Sequence, residues 1–396
     1  MLRFLTAGES HGPTLTGILE GMPAGLALSA AELDAELSRR QQGFGSGGRM
    51  KIERDHARIS AGVMAGKTTG APIALHIENL DHKKWRDRDI EPMTIPRPGH
   101  ADLTAAVKYG YRELRLSLER ASARETAMRV AVGAVCRKLL RELGVELGGY
   151  VVRIGDCALP AELAAAAVTP AQYQARFAAA EASAVRCYHP ETAAAMQALI
   201  AEIIRRRDTL GGVVECVALG VPPGLGGHAH WDRRLSARLG QAVMSIHAVK
   251  GFELGDGFSS CARPGTEVQD EYVLAGDAIT QPTNHAGGVE GGIATGGPIV
   301  VRAAFKPIAT TLTPLQSVDL KHGTAAPTQY ERSDFCQVPR AVPIVEAMVA
   351  LVLADALLEK LGGDSLEELR ERLGRLRRLR LSDLPMDGVP WRLGYE

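Results

Sequence analysis

Residues 342–361 form a strongly apolar stretch with a helical pattern, stopped by Gly362-Gly363. Within it, Ala341 to Leu358 carries few charges and suits a core or a subunit interface. Any fold for this chain has to enclose that helix. The remaining pattern mixes helices and strands without regular βαβ alternation, which predicts an α+β fold rather than a doubly wound sheet. Strands are expected at 2–7, within 57–77, at 148–154, 213–221 and 299–305. Helices are expected from the capping box Ser29–Glu32 to about Arg40, at 123–143, 160–180, 190–207 and 232–246, and after the capping box Ser365–Glu368. Residues 80–104 read as a long irregular stretch, which inside a compact domain is usually functional or mobile.

Lys plus Arg and Asp plus Glu are both 46, so the net charge is zero and no nucleic-acid partner is expected. No apolar run reads as a membrane span, and the first residues turn polar too soon for a signal peptide. Six scattered cysteines without a Cys-x-x-Cys pair favour a reducing cytoplasm. Aromatics are only 5%, so Ala, Val, Leu and Ile must fill the core. Motif-like segments run from residue 8 to residue 340 with no linker or repeat between them. One catalytic domain over 1–364 with long functional loops is therefore expected, and 365–396 as a peripheral C-terminal helix and tail.

Several segments present chemistry. Gly8-Glu9-Ser10-His11-Gly12 follows a strand, where two glycines let the chain turn and expose Ser10 and His11. Pro96 to Asp102 is stiffened by prolines and presents Arg97, His100 and Asp102; Asp102 also suits a helix N-cap. Arg112, Arg115, Arg120, Arg124 and Arg129 form a basic run, and Glu119 to Thr126 reads as a helix start suited to phosphate. Arg39, Arg40 and Arg49 flank the glycine loop 43–48, and Arg332 precedes Ser333-Asp334. So many arginines near glycine loops imply a ligand with several negative charges. The glycines between Asn284 and Gly297 suit either close approach to a flat or phosphorylated ligand or a turn between strands. His228, His230 and Asp232 offer a metal-hydrolase reading, with Asp232 as a helix cap the alternative. No metal is expected, because a third ligand and a His-Glu-x-x-His motif are missing. A non-catalytic anion-binding module built on 112–129 is the remaining competitor.

Taken together, these segments closely resemble the chorismate synthase family. The matching stretches are Gly8–Gly12, Gly48–Glu53, Lys67–Ile73, Arg97–Asp102, Arg120–Glu125, Asn284–Gly292, Lys306–Ile308 and Arg332–Asp334, in the family's order and over nearly the whole chain. The resemblance implies a β-α-β sandwich with helices packed between antiparallel sheets, and a homotetramer. It implies elimination of phosphate from 5-enolpyruvylshikimate 3-phosphate to give chorismate, with reduced FMN (FMNH2) required. The sequence shows no obvious added reductase domain, so an external flavin reductant is expected.

Residue by residue, the resemblance puts His11 at the departing phosphate and His100 beside the flavin. Asp334 would help move the substrate proton through flavin N5. Arg120, Ala121, Ser122, His247, Ala248, Gly291, Lys306, Pro307, Ile308, Ala309, Thr310 and Arg332 fall on flavin-contacting positions. Arg40, Ser46, Arg49, Arg97 and Arg124 are candidates for binding substrate anions or a nicotinamide nucleotide such as NADP. Four positions depart from the family pattern: Ala121 for Ser, His247 for Asn or Gln, Ala309 for a polar residue and Ser46 for Arg.

Overall fold

The computed structural model describes residues 1–46, 54–165, 169–331 and 333–394. β1 (Arg3–Ala7) and β2 (Thr14–Glu20) pair antiparallel, so residues 8–13 are the loop of a hairpin. Gly8 enters that loop at φ +112°, and a Cβ there would meet Thr14 O at 2.4 Å. α1 (Ala30–Gln41) starts at its capping box, where Ser29 N–H donates to Glu32 Oε2 at 3.0 Å. β3 (Ala57–Ala61), the short β4 (Val63–Met64) and β5 (Lys67–Thr68), and β6 (Ile73–Glu78) follow.

Strands β1, β2, β6 and β3, in that order, make a four-stranded antiparallel sheet. Alternate residues turn inward: Leu15 and Leu19 of β2, and Ile73, Leu75 and Ile77 of β6, are buried. Each such burial is worth about 1.5–3 kcal/mol. β2 is absent from the sequence expectations. Gly17 at its centre breaks the strand pattern, and Gly17 is there because α4 (defined below) presses Met128 against it, leaving a Cβ only 2.5 Å from the sulfur.

α2 (Asp102–Tyr109) and α3 (Arg115–Ala121) precede α4 (Thr126–Glu142). The expected single helix start at Glu119–Thr126 is instead a junction. α3 ends at Ala121, and Ser122 Oγ accepts the Arg124 N–H at 3.3 Å to cap the 3₁₀ turn Ala123–Glu125 that leads into α4. β7 (Glu146–Ile154), β8 (Cys157–Ala158), α5 (Ala161–Ala165), α6 (Pro170–Ala182), α7 (Pro190–Arg205) and β9 (Gly212–Leu219) come next.

α8 (Leu235–Met244) begins later than Asp232, after a 3₁₀ turn at Trp231–Arg233 and an extended Arg234. Asp232 does not cap it; its carboxylate accepts from His230 Nδ1 at 2.7 Å. β10 (Val249–Leu254), α9 (Gly257–Ser260) and the hairpins β11 (Val273–Ala275)–β12 (Ala278–Thr280) and β13 (Val289–Glu290)–β14 (Ile293–Ala294) follow. β15 (Ile299–Phe305) then completes a second antiparallel sheet in the order β10-β15-β9-β7-β8. β16 (Gln316–Asp319) and β17 (Thr324–Pro327) form a further hairpin.

α10 (Val338–Leu361) starts four residues before the expected 342, because Pro339 is tolerated in a first turn, where no N–H is needed. It packs on β7 and β9, while α4 packs on β1, β2 and β6, and the two helices pack on each other. At their crossing a Cβ on Gly133 would lie 2.4 Å from the Ala347 Cβ, so this contact demands glycine. The class is α+β, as the pattern predicts. α10 is long and apolar enough to cross a membrane, against the expectation that no stretch is, but it is largely buried within the protein.

Five charged residues lie on that helix, and Glu346 is the most deeply buried of them. Glu346, 1% exposed, accepts from Arg39 at 2.7 and 3.1 Å and from Arg137 at 2.6 Å. At the helix's far end, Asp355 Oδ1 accepts the Leu2 N–H at 2.5 Å. α11 (Leu366–Gly374) buries Leu366 and Leu369, and Leu379 and Leu381 exchange backbone bonds with Ile279 and Asp277.

Candidate active site

The β1–β2 loop is held by its neighbours. Asn79, at the end of β6, donates from Nδ2 to the carbonyls of Glu9 at 3.1 Å and Gly12 at 2.8 Å. Ser10 N–H donates to Glu119 O at 3.1 Å, and Ser122 Oγ to Ser10 Oγ at 3.0 Å. His11 sits in this frame with its N–H 2.7 Å from Glu119 Oε2 and its Nδ1 2.8 Å from Glu119 Oε1. Burial alone would raise the Glu119 carboxyl, but the bonds to His11 and the charge of Arg115 hold it below its usual range.

Behind the loop lies a buried charge cluster. Arg124 donates from Nε to Asn79 Oδ1 at 2.8 Å and from Nη1 to Asp55 Oδ1 at 2.6 Å. Arg40 donates to Thr126 Oγ1 at 2.9 and 3.1 Å and to Ala123 O at 3.0 Å. Its Nη1 faces Asp55 Oδ2 at 3.6 Å, and neither atom has a hydrogen bond. Burial pulls the Arg40 guanidinium down to about 9, with Arg340 and Arg124 opposing its charge and Asp55 and Asp334 favouring it. Arg340 donates to Asp334 and, at 3.2 Å, to the Arg40 carbonyl. The first glycine loop joins here, since Phe335 N–H donates to Gly45 O at 3.0 Å. The Ser46 hydroxyl is used internally, donating to Gly43 O at 2.8 Å.

Asp102 organises the second loop and does not cap α2, whose N-cap is Ala101. Its carboxylate takes Arg97 Nε at 2.8 Å, Arg97 Nη2 at 3.0 Å, Arg97 N–H at 3.0 Å and His100 Nδ1 at 2.6 Å. Burial would raise this acid, yet His100 and Arg97 hold it far below the usual carboxylate range. Arg97 is therefore ion-paired rather than open to an anion. Its Nη1 also reaches Thr310 Oγ1 at 3.3 Å, and Lys306 Nζ donates to Gly99 O. Pro98, Gly99, Lys306, Pro307, Ile308 and Ala309 line a cavity of about 320 Å³.

His247 and Ala248 lie beyond the C-terminus of α8. Ala248 has φ +66°, and its carbonyl accepts the Lys306 N–H at 3.0 Å. His247 Nδ1 is buried without a hydrogen bond, 3.9 Å from Glu125 Oε2. Burial takes its imidazole down to about 4; Glu125 works against that fall, and Arg129, Arg120 and His100 add to it. Arg120 donates to Thr6 O at 3.0 Å and Gly8 O at 3.3 Å, which ties it to the His11 loop.

Gly291 lies on the turn between β13 and β14, whose Gly292 carbonyl accepts the Leu235 N–H at the start of α8. Glycines 287 and 255 meet backbone to backbone, so much of the 284–297 segment serves packing. Arg49 and Arg332 lie outside the described residues, as does the Gly48–Glu53 stretch. Among the described residues no group of three metal-ligating side chains occurs. Sequence reasoning missed Glu119, Asn79 and Asp55 as site residues. Only Glu119 had a signal, its place beside Arg120 in the junction segment.

The family model described as chorismate synthase matches residues 2–358. A chorismate synthase of Trichlorobacter lovleyi is 51% identical over 386 residues, spanning 93% of this chain and 97% of that protein. One from Aquifex aeolicus is 50% identical over 383 residues, spanning 94% and 96%. A crystal structure of chorismate synthase superposes with a TM-score of 0.77 at 44% identity, covering 94% of this chain and 96% of that one.

Proposed function

The chain belongs to the chorismate synthase family, and on that premise we propose how its residues divide the work. Its reaction is the family's carbon–oxygen lyase step in the shikimate pathway towards aromatic amino acids. Phosphate is eliminated from 5-enolpyruvylshikimate 3-phosphate and chorismate is formed, with a flavin as cofactor.

Reduced FMN is the form we propose. The residues fit a flavin: the cavity beside Lys306–Ala309 is floored by Gly99, and an orphaned, buried His247 Nδ1 stands where an amide is usual in the family. When bound, reduced FMN supplies charge that is lent and recovered without net redox change. His11 holds the proton for the leaving phosphate, and the ionised Glu119 keeps its ring in place. His100, locked on Asp102, balances charge beside the cofactor. Asp334 accepts a proton while Arg340 holds it. Arg40, Arg124 and Arg49 balance the anionic substrate in a water-poor site, and Arg332 serves the flavin.

Beyond the site, we propose that the layers form a β-α-β sandwich around α4 and α10, and that 1–364 carries the catalysis with 365–396 peripheral to it. We also propose a cytoplasmic homotetramer served by an external flavin reductant. The six free cysteines support a reducing compartment. Leu103, Val107 and Tyr109 on α2, all exposed, support a subunit contact.

The observation that carries the mechanistic reading is the pair of histidines His11 and His100, each held at Nδ1 by a carboxylate, half-buried Glu119 and buried Asp102. Anaerobic turnover of the substrate with photoreduced FMN, followed by chorismate absorbance, tests it. Chorismate should form with reduced FMN and not with oxidised FMN, even when NADPH is added. His11→Ala and His100→Ala should each lower kcat by roughly 10²- to 10⁴-fold. Full turnover with oxidised FMN, or near wild-type kcat in both variants, overturns the reading.

A further inference from the structure

We propose that Glu119 is a positioning residue that locks His11 with its Nδ1 protonated and turned inward, so that Nε2 is the nitrogen offered to the substrate. This rests on the reading of His11 as proton donor to the leaving phosphate.

Both carboxylate oxygens of Glu119 are spent on one residue. Oε2 takes the His11 backbone N–H at 2.7 Å and Oε1 takes Nδ1 at 2.8 Å. The main chain adds a third tie, from Ser10 N–H to Glu119 O at 3.1 Å. The ring is thus fixed at its backbone and at one nitrogen. Trp85 lies 4.5 Å away by ring centroids, tilted by 45°, and limits its swing. The His11 carbonyl accepts from His82 Nδ1 at 2.8 Å, which fixes the residue from the other side.

An acceptor-only carboxylate can bond Nδ1 only when that nitrogen carries hydrogen. Nε2 is then the ring nitrogen that gains or loses the proton, and the tautomer is set before substrate arrives. Glu119 of α3 is the charged group bonded to the ring, and Arg115 of the same helix lies beside that carboxylate.

The test uses the full chain labelled with ¹⁵N-histidine. In the wild type, the His11 signals should show Nδ1 protonated at neutral pH. Glu119→Gln has one acceptor oxygen for two donors, so the tautomers should mix. Its kcat should fall by about 10- to 100-fold, as for other residues that orient a working histidine, with substrate KM within about threefold. Glu119→Asp should recover part of kcat. Unchanged kcat and tautomer in Glu119→Gln overturn the proposal, as does an Nε2-protonated His11 in the wild type, a result that stands even if Glu119→Gln fails to fold. A fixed Nδ1–H together with a kinetically silent His11→Ala upholds the positioning and overturns the proton-donor reading instead.

Discussion

Arg97 and Asp102 form a buried two-pronged ion pair, with Nε to Oδ2 at 2.8 Å and Nη2 to Oδ1 at 3.0 Å. The same carboxylate holds His100. Asp102→Asn leaves the guanidinium buried and uncompensated, which costs about 3–5 kcal/mol. Urea denaturation should show that loss, and kcat should fall as well because His100 loses its anchor. A variant as stable as the parent would show that Arg97 finds another partner.

His247 gives a pH signature. Its unfolded imidazole titrates near 6.5, and the folded one near 4. As pH falls through that window the unfolded chain takes up the proton first. The buried ring therefore costs nothing above pH 6.5 and destabilises increasingly down to pH 4, by up to about 3 kcal/mol. His247→Gln should flatten this loss. Urea midpoints of both proteins at pH 7 and pH 4.5 decide it, and equal slopes would refute the buried neutral ring.

Glu346 runs the other way in origin. Burial would raise it, but Arg39 and Arg137 hold it down to about 2. Its ion pairs contribute fully above pH 4.5 and fade as pH falls towards 2. Glu346→Gln should cost about 1–3 kcal/mol at pH 7, because Arg39 and Arg137 lose their buried partner and keep Glu36, with Glu181 also on Arg39. The gap from the parent should shrink below pH 4.5. A constant gap would mean that packing, not charge, is lost.

Much of this was readable in the chain, for stated reasons. The face formed by Met128, Val132, Val135 and Leu139 is buried as its spacing predicts. The capping boxes at Ser29 and Ser365 both start helices. What escaped depends on partners distant in sequence. β2 is broken in pattern by Gly17, which serves Met128. Asp102 looks like a cap until Arg97 and His100 are seen turned onto it. Glu119 and His11 are 108 residues apart, and no local pattern joins them.

Lys306 is the cation at the edge of the cavity, tethered to Gly99. Lys306→Met keeps the length and removes the charge. FMN affinity should weaken at least tenfold, about 1.4 kcal/mol, with little change in folding. Titration of flavin fluorescence measures it, and an unchanged Kd would place the cofactor elsewhere.

The bond from Leu2 to Asp355 closes a loop of 353 residues, and Arg39 reaches Glu346 across nearly as many. During synthesis, at about 5–20 residues per second, the first strand waits on the order of 20–70 s for the segment that seats it. No early portion of the nascent chain can finish the site on its own. The enzyme is completed from its last third backwards: α4 can cover the inward leucines and isoleucines of the first sheet early, but its opposite face, which packs on α10, stays uncovered and dependent on whatever shields a growing chain until α10 is made.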